Sequence, residues 1–392
     1  MQHDGHTASL QLDQVHLVDT TILFAPHSGG IKRYLLAKRD ALARRRGITH
    51  TLVVPGAASR VREPGLVEVR AARVPHPAGY RVPLQLREWR AVLERLAPDV
   101  IEAGDPYHGA WAALSVARSL GIPAVAFAHS DLPQLVESVT GSAGAAVARA
   151  YVRRLYRRFD LVLAPSRRTA RHLREAGIDD VAVQPLGVDA SVFDPAREDP
   201  ELRRQLGVAP DVRLLVFAGR LSREKRIPVL IEAVELLGPQ YHLLLVGGTR
   251  TERIASAVSL LAYEQDASRL ARVVASADAF VHAGVQETFG LVLVEAMACG
   301  TPVVAVRAGA AAELVDASVG MLAERSDAHS MASAIATLFE RDVEALAGNA
   351  RRRAVLSHSW DAVFTAQLAR YHRLLGAAHQ TMSDEVTRGA AD

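Results

Sequence analysis

The stretch HAGVQETFGLVLVEAMACGTPVV, His282 to Val304, decides how this chain is read. Between Gly290 and Gly300 every residue is apolar except Glu295. An ionised carboxylate in such a run is costly unless something pairs with it. The partner is either a buried Arg or a ligand. TFG breaks the strand-like pattern, so a helix is expected to begin near Phe289 or Gly290. Glu295 then falls in its second turn, four residues after Leu291 and on the same face. Glu287 stays in the loop before it. The free amides of Gly290, Leu291 and Val292 and the positive helix end suit a diphosphate. The two carboxylates suit hydroxyl groups. A diphosphate between two hydroxyl-rich rings, as in a sugar nucleotide, fits this arrangement.

Outward from that stretch, short apolar runs alternate with helical patterns along the whole chain. QVHLVD, HTLVVPG, LVEVRA, VIEAG, AVAFAH, LVLAPS and VAVQPLG read as strands in the first half, with IKRYLLAKRDALARR, LQLREWRAVLERLA, GAWAALSVARSL and SRRTARHLREAG as helices between them. RLLVFAGRL, YHLLLVGG, AFVHAG and TPVVAV continue the pattern in the second half. Such alternation predicts an α/β protein of two parallel sheets covered by helices on both faces. The 392 residues also exceed one typical core. The proline-punctuated PLGVDASVFDPAREDPELRRQLG reads as the joint. The expected domains are 1–189 and 190–359, with a helix at about 360–376 packing back on the first and a disordered tail at 377–392. Ligands of parallel sheets bind beyond the carboxyl ends of the strands, so the crevice is expected between the two sheets.

Composition narrows the classes. The chain is 49% hydrophobic and 23% charged, as expected of a globular protein. No signal-peptide pattern and no run of eighteen apolar residues is seen. The single Cys299 makes no internal disulfide and reads as a small core residue in a reducing compartment. The net charge of +3 hides +8 in residues 1–187 and −5 in the remainder. The densest basic run, RAYVRRLYRRFD, carries Arg149, Arg153, Arg154, Arg157 and Arg158. It is either a solvated helix face or a face for anionic membrane at 149–158. Nucleic acid is not expected as a partner. No Gly-X-Gly-X-X-Gly follows a strand, against a dinucleotide dehydrogenase. No strict Asp-X-Asp triplet occurs, EQD at Glu264–Asp266 being the nearest, and no His/Cys cluster has metal spacing. No metal and no cofactor are therefore expected.

Two further clusters carry chemistry. In FAGRLSREKR, Arg220 and Lys225 follow a strand and suit a diphosphate, or are ordinary loop charge. In LFAPHSGGIKRYL, Gly29 and Gly30 precede a helix and admit a ligand close to backbone amides, or form a plain turn.

ETFGLVLVEAMACGTPVVAV, FAGRLSREKRIPVLIEAV, LVLAPSRRTARHL and PLGVDASVFDP resemble the retaining glycosyltransferases of family 4, which have the GT-B fold of two Rossmann-like domains. The resemblance runs from SGGIKRYL to HSWDAVF. It implies that Glu295 holds the nucleotide ribose, the ligand partner asked for above, and that Glu287 holds the donor sugar. It implies that Arg220, Lys225 and the amides of Phe289, Gly290, Leu291 and Val292 take the diphosphate, with Gly29 and Gly30 closing over it. A histidine after the strand AVAFAH sits beside the transferred sugar in relatives, which makes His129 a candidate catalytic residue with Glu287, Arg220 and Lys225. HSD equally reads as a helix cap. His108 and Glu102 are weaker acceptor-side candidates. Two departures stand out. VGGTRTERIASAVSLLAYEQDASRL is shorter than usual, which leaves the base open, and HAG replaces the usual PS pair, with no consequence expected.

The expected activity is metal-independent, hexosyltransferase-like transfer from a nucleotide-diphosphate sugar to an acceptor hydroxyl with retention. The acceptor, lipid-linked, glycan or small molecule, is left open. The expected place is the cytoplasm, at the inner membrane face if the basic run is used. The alternatives are a nucleotide-sugar epimerase of the same fold and a non-catalytic sugar-nucleotide-binding protein.

Overall fold

The structure, a computed structural model, describes residues 14–26, 28–75 and 79–389, with side chains described up to residue 378. It divides into two compact units. The first takes the described residues up to Pro165, Thr169–Gln184 and those from Phe364 on; the second takes Ser166–Arg168 and Pro185–Val363.

In the first unit the chain runs β1 (Val15–Thr20), α1 (Gly30–Leu42), β2 (Ile48–Gly56), β3 (Arg60–Glu63), β4 (Leu66–Arg70), β5 (Ala72–Arg73), β6 (Arg81–Val82), α2 (Leu86–Leu96), β7 (Val100–Ala103), α3 (His108–Leu120), β8 (Ala124–Phe127), α4 (Leu132–Tyr156), β9 (Leu161–Ala164), α5 (Arg167–Glu175) and β10 (Val181–Val183). Its main sheet has the order β10-β9-β8-β7-β1-β2-β4-β3. All pairs are parallel except β3 with β4. Helices cover both faces of the central strands, so β8 and β9 are apolar throughout, whereas β1 and β7 also carry the buried Asp19 and Glu102. β3, RVRE, is an exposed antiparallel edge strand, and its polar character hides it from an apolar-run reading. Helix α4 is broken at Gly141, whose φ of 73° no helix accommodates.

The second unit contains α6 (Pro200–Leu206), β11 (Arg213–Ala218), α7 (Ile227–Leu237), β12 (Tyr241–Gly248), β13 (Glu252–Ala255), β14 (Val258–Ala262), α8 (Ala267–Ala275), β15 (Ala279–His282), α9 (Leu291–Ala298), β16 (Val303–Val306), α10 (Ala311–Leu314), β17 (Gly320–Ala323), α11 (Ala328–Phe339) and α12 (Val343–His358). Its sheet order is β13-β14-β12-β11-β15-β16-β17, parallel except for the edge pair β13 with β14. The shortened TERIASAVSLLAY segment forms that hairpin. β11 and β15 are neighbours, which brings the loops at their carboxyl ends side by side.

The last helix, α13 (Trp360–Gly389), continues past Gly376, where the sequence led us to expect a disordered tail; residues 390–392 lie outside the described residues. Gln367 and Tyr371 of this helix join a buried polar cluster in the first unit. Lys38 of α1 pairs with Asp19 at 2.9 Å and Glu102 at 3.0 Å. The Tyr371 hydroxyl donates to Glu102, and the Gln367 amide donates to the same carboxylate at 2.9 Å. Glu102 is thus a fully engaged core residue, which removes it as an acceptor-side candidate. Among the described residues no helix is long and apolar enough to cross a membrane.

Candidate active site

The loop after β11 holds the first predicted pair. It opens at Gly219 and carries Arg220, then tightens into a single 3₁₀ turn, Arg223–Lys225. Arg226 follows with a φ of 53°, a left-handed conformation rare for a non-glycine residue and a kind of strain that clusters at functional sites. Arg220 is exposed, 3.8 Å from Glu224. Lys225 turns inward and donates to Glu287, which lies in the loop after β15. Two residues 62 positions apart are therefore one ion pair because their strands are adjacent.

A second donor reaches the same oxygen. The Nε2 of His282, the last residue of β15, lies 3.0 Å from Glu287 Oε1. His282 is fully buried and stacks against Phe217. Burial alone pushes the Glu287 carboxyl up, but the His282 hydrogen bond and the Lys225 charge outweigh it and hold the group well below the usual range. Both donors lie on Oε1, which leaves Oε2 able to accept a further hydrogen bond. The HAG triplet, for which no consequence for the reaction was expected, thus supplies a partner to the loop carboxylate. The first residue of that triplet orients the loop carboxylate, a link made through space across five residues.

The backbone of this loop is fixed as well. The Ala310 amide donates to the Glu287 carbonyl at 2.9 Å. Gly309, with a φ of 59°, lies so close that a Cβ there meets the Glu287 amide and carbonyl at 3.0 Å.

Helix α9 starts at Leu291, as TFG indicated, with Gly290 as its left-handed N-cap at φ 89°. No side chain caps it, so the first-turn amides keep their affinity for an anion. Glu295 is buried in the second turn. At the other end Arg351 of α12 donates to the Ala298 carbonyl at 2.7 Å and to Phe193 at 2.6 Å, while pairing with Asp194. It pins the helix that carries Glu295, and nothing local in the sequence marks it. Cys299, the C-cap, is buried, which pushes its thiol up to about 12.

Glu264 and Asp266 form no metal triplet: Asp266 caps α8 through the Ser268 amide at 2.8 Å. Among the described residues no three His, Cys, Asp or Glu side chains are grouped to hold a metal ion.

In the first unit, Gly29 and Gly30 stand at the start of α1, Gly29 with open space where a Cβ would be. His129 follows β8 and is buried, its ring stacked on Phe127 at 3.9 Å and 4.9 Å from Tyr34. Burial, with the nearby Lys38 charge, lowers its pKa to about 3. It is therefore neutral at physiological pH and offers a hydrogen bond, not a charge. The cap reading of HSD also holds, since Asp131 accepts from Gln134 at 3.0 Å. His108 is exposed in the first turn of α3.

Residues 28–192 match the family described as Glycosyltransferase Family 4, and residues 198–354 match Glycosyl transferases group 1. The chain is 34% identical over 320 residues to a GDP-mannose-dependent alpha-mannosyltransferase of Mycobacterium tuberculosis, covering 79% of this chain and 83% of that protein. It is 32% identical over 369 residues to the protein of the same name in Mycolicibacterium smegmatis, covering 90% and 96%. A GDP-mannose-dependent alpha-(1-6)-phosphatidylinositol dimannoside mannosyltransferase of M. tuberculosis is 30% identical over 376 residues, covering 91% and 95%. Among solved structures, a sucrose-phosphate synthase of Thermosynechococcus elongatus superposes with a TM-score of 0.77 at 22% identity, covering 93% and 100% of the two chains. The Anabaena HepE protein, in complex with UDP and glucose, gives 0.69 at 23% identity, covering 90% and 98%.

Proposed function

The chain belongs to glycosyltransferase family 4, with the GT-B fold, and we propose that its donor is GDP-mannose and that Glu287 binds the transferred mannosyl group. Membership makes it a retaining transferase that moves a sugar from a nucleotide-diphosphate donor to an acceptor hydroxyl, and sets the epimerase alternative aside. The donor assignment is supported by relatives of 30–34% identity that carry that donor in their names. The observation that carries the site is the Glu287 carboxylate, held through one oxygen by Lys225 and His282 beside the uncapped start of α9.

In this reading the diphosphate meets Arg220, Lys225 and the amides of Phe289, Gly290, Leu291 and Val292. These groups stabilise the charge that develops as the sugar–oxygen bond breaks. Lys225 then shares itself between phosphate and Glu287, while His282 keeps the carboxylate aimed. The second oxygen of Glu287 accepts from sugar hydroxyls, and Glu295 accepts from the ribose. For the first unit the reading keeps His129 beside the transferred sugar and Gly29 and Gly30 as diphosphate amides.

We also propose that the protein works in the cytoplasm and touches anionic membrane peripherally. Arg149, Arg153 and Arg154 are exposed in the last turns of α4 and Arg157 and Arg158 just beyond it; Val147 is exposed on the same segment, and Leu135 and Val139 before the break at Gly141. Basic and apolar residues together suit an anionic lipid surface.

The test is turnover of GDP-mannose after chelation. Release of GDP and mannose transfer, or slow hydrolysis giving the α anomer first, supports the reading. Turnover of another nucleotide sugar in its place overturns the donor assignment, and full dependence on added divalent metal overturns the assignment of the diphosphate to Arg220 and Lys225.

A further inference from the structure

In the first unit the loops that follow β1, β7 and β8 meet around a buried carboxylate. Asp105, in the loop after β7, is 1% exposed. Its Oδ2 accepts from the Thr21 hydroxyl at 2.7 Å and from the Ile22 amide at 2.6 Å, both just after β1. Its Oδ1 accepts from the Tyr107 amide at 3.1 Å. The Thr21 hydroxyl in turn accepts from the Leu23 amide at 3.0 Å. Gly104 completes the meeting point. A Cβ there would lie 3.3 Å from the Thr21 Cβ and 3.6 Å from the His129 Cδ2, so its bare backbone lets the three loops come this close.

Asp19 and Glu102, in the same sheet, have Lys38 as their cation. Among the described residues no lysine or arginine pairs with Asp105, whose partners are a hydroxyl and two amides. Burial pushes its carboxyl above the usual range, although these hydrogen bonds oppose the shift. A buried carboxylate without a cation is costly, so its presence calls for a reason. The loop it holds supplies one, because that loop runs on to Gly29 and Gly30 at the start of α1. Further along, the Ser28 hydroxyl accepts from the Ala25 amide at 3.0 Å and donates to the Ala25 carbonyl at 2.9 Å, and Lys32 donates to the Pro26 carbonyl at 2.9 Å. Amides that stabilise developing charge must be fixed in advance, and a loop tied at these points is built for that.

We propose that Asp105 and Thr21 are positioning residues for the transfer: their hydrogen bond holds the loop after β1 so that the Gly29 and Gly30 amides are fixed for the diphosphate, and it keeps Thr21 against the His129 ring. Neither residue need touch the substrate. The proposal rests on the roles read above for Gly29, Gly30 and His129. Groups fixed in advance act on the charge that develops as the sugar–oxygen bond breaks, so loosening them lowers kcat more than it raises KM.

Thr21→Val keeps the shape and removes the hydroxyl, whereas Thr21→Ser keeps the hydroxyl. Thr51→Val makes the same change at another buried threonine of this sheet, whose hydroxyl lies 2.9 Å from His16 Nε2. The full chain is assayed with GDP-mannose, each variant well below its melting temperature, and its amide and imidazole resonances are recorded by NMR without donor. Thr21→Val should lower kcat about tenfold or more with KM within about twofold of the wild type, as loss of a hydrogen bond to a charged group implies. Thr21→Ser should recover most of kcat, and Thr51→Val should retain it. The Gly29 and Gly30 amide signals and the His129 ring signals should move in Thr21→Val and stay in place in the other two. Wild-type kcat in Thr21→Val, equal losses in Thr21→Val and Thr51→Val, or unmoved Gly29, Gly30 and His129 signals would overturn the proposal. If the wild type does not turn over GDP-mannose, the donor assignment falls, and the resonances by themselves confirm or overturn the hold of Asp105 and Thr21 on the loop.

Discussion

Each unit contains a lysine set against carboxylates, and the two settings differ. Lys38 is 1% exposed, between Asp19 and Glu102, and both Tyr371 and Gln367 complete the shell around Glu102. Lys225 is 19% exposed and meets Glu287, which is 14% exposed and has one oxygen left over. The first cluster is closed off from solvent, with His50 Nε2 also 3.1 Å from Asp19, and joins α1, β1, β7 and α13. The second is closed on one side only. A buried ion pair is costly to break, because removing one partner strands the other charge, whereas a carboxylate held through one oxygen can still accept a further hydrogen bond. On the proposed reading the contrast separates a structural lysine from a working one, although both look alike as residues.

The largest effect should break the comparison on the structural side. Lys38→Met leaves two carboxylates buried without their cation, and should cost about 3–5 kcal/mol of stability, read by urea unfolding. Lys225→Met should cost about 1 kcal/mol or less in the same measurement. Similar losses in the two variants would erase the distinction.

On the working side, Lys225→Ala and Arg220→Ala should each lower turnover on the order of a hundredfold, about 3 kcal/mol of transition-state stabilisation. Near wild-type turnover in both would remove the diphosphate assignment. His282 should give a smaller, graded effect. His282→Leu, which deletes the donor to Glu287, should lower kcat roughly tenfold with GDP binding intact, as a lost hydrogen bond to a charged group implies. His282→Asn, which keeps an N–H, should recover part of it. Equal losses in the two variants would mean that His282 only fills space.

The smallest effect at neutral pH concerns His129. The folded protein keeps it neutral down to about pH 3, whereas the unfolded chain protonates it near 6.5. The unfolded state therefore takes up more protons as pH falls, so this contribution to stability is present above pH 6.5 and lost towards pH 3. His129→Phe should flatten that part of the curve. The difference between the two proteins is the quantity to measure, because Asp19 and Glu102 titrate in the same cluster.

Much of this was legible in the residues. Central strands of a parallel sheet are apolar on both faces, so β11, β12 and β16 read directly as runs, and TFG placed the start of α9 correctly. What escaped was written in no local pattern. β3 and β13 lie at sheet edges, where polar residues are acceptable and the apolar signal vanishes. Lys38 looks like the polar side of an amphipathic helix until the carboxylates beneath it are seen. His282 and Arg351 act across 5 and 53 positions of the chain, through contacts that only strand order and helix packing create.

The most direct test of the central claim compares Glu295→Gln with Glu287→Gln. Each is titrated with free GDP by calorimetry and assayed with GDP-mannose. Glu295 lies in the second turn of α9, close to the amides assigned to the diphosphate, whereas Glu287 lies in the loop before the helix. Glu295→Gln should weaken GDP binding by about 1–3 kcal/mol, the worth of a hydrogen bond to a charged group. Glu287→Gln should leave GDP binding nearly unchanged and lower turnover. Equal losses of GDP affinity, or the reverse order, would contradict the account and place the sugar and the nucleotide the other way round.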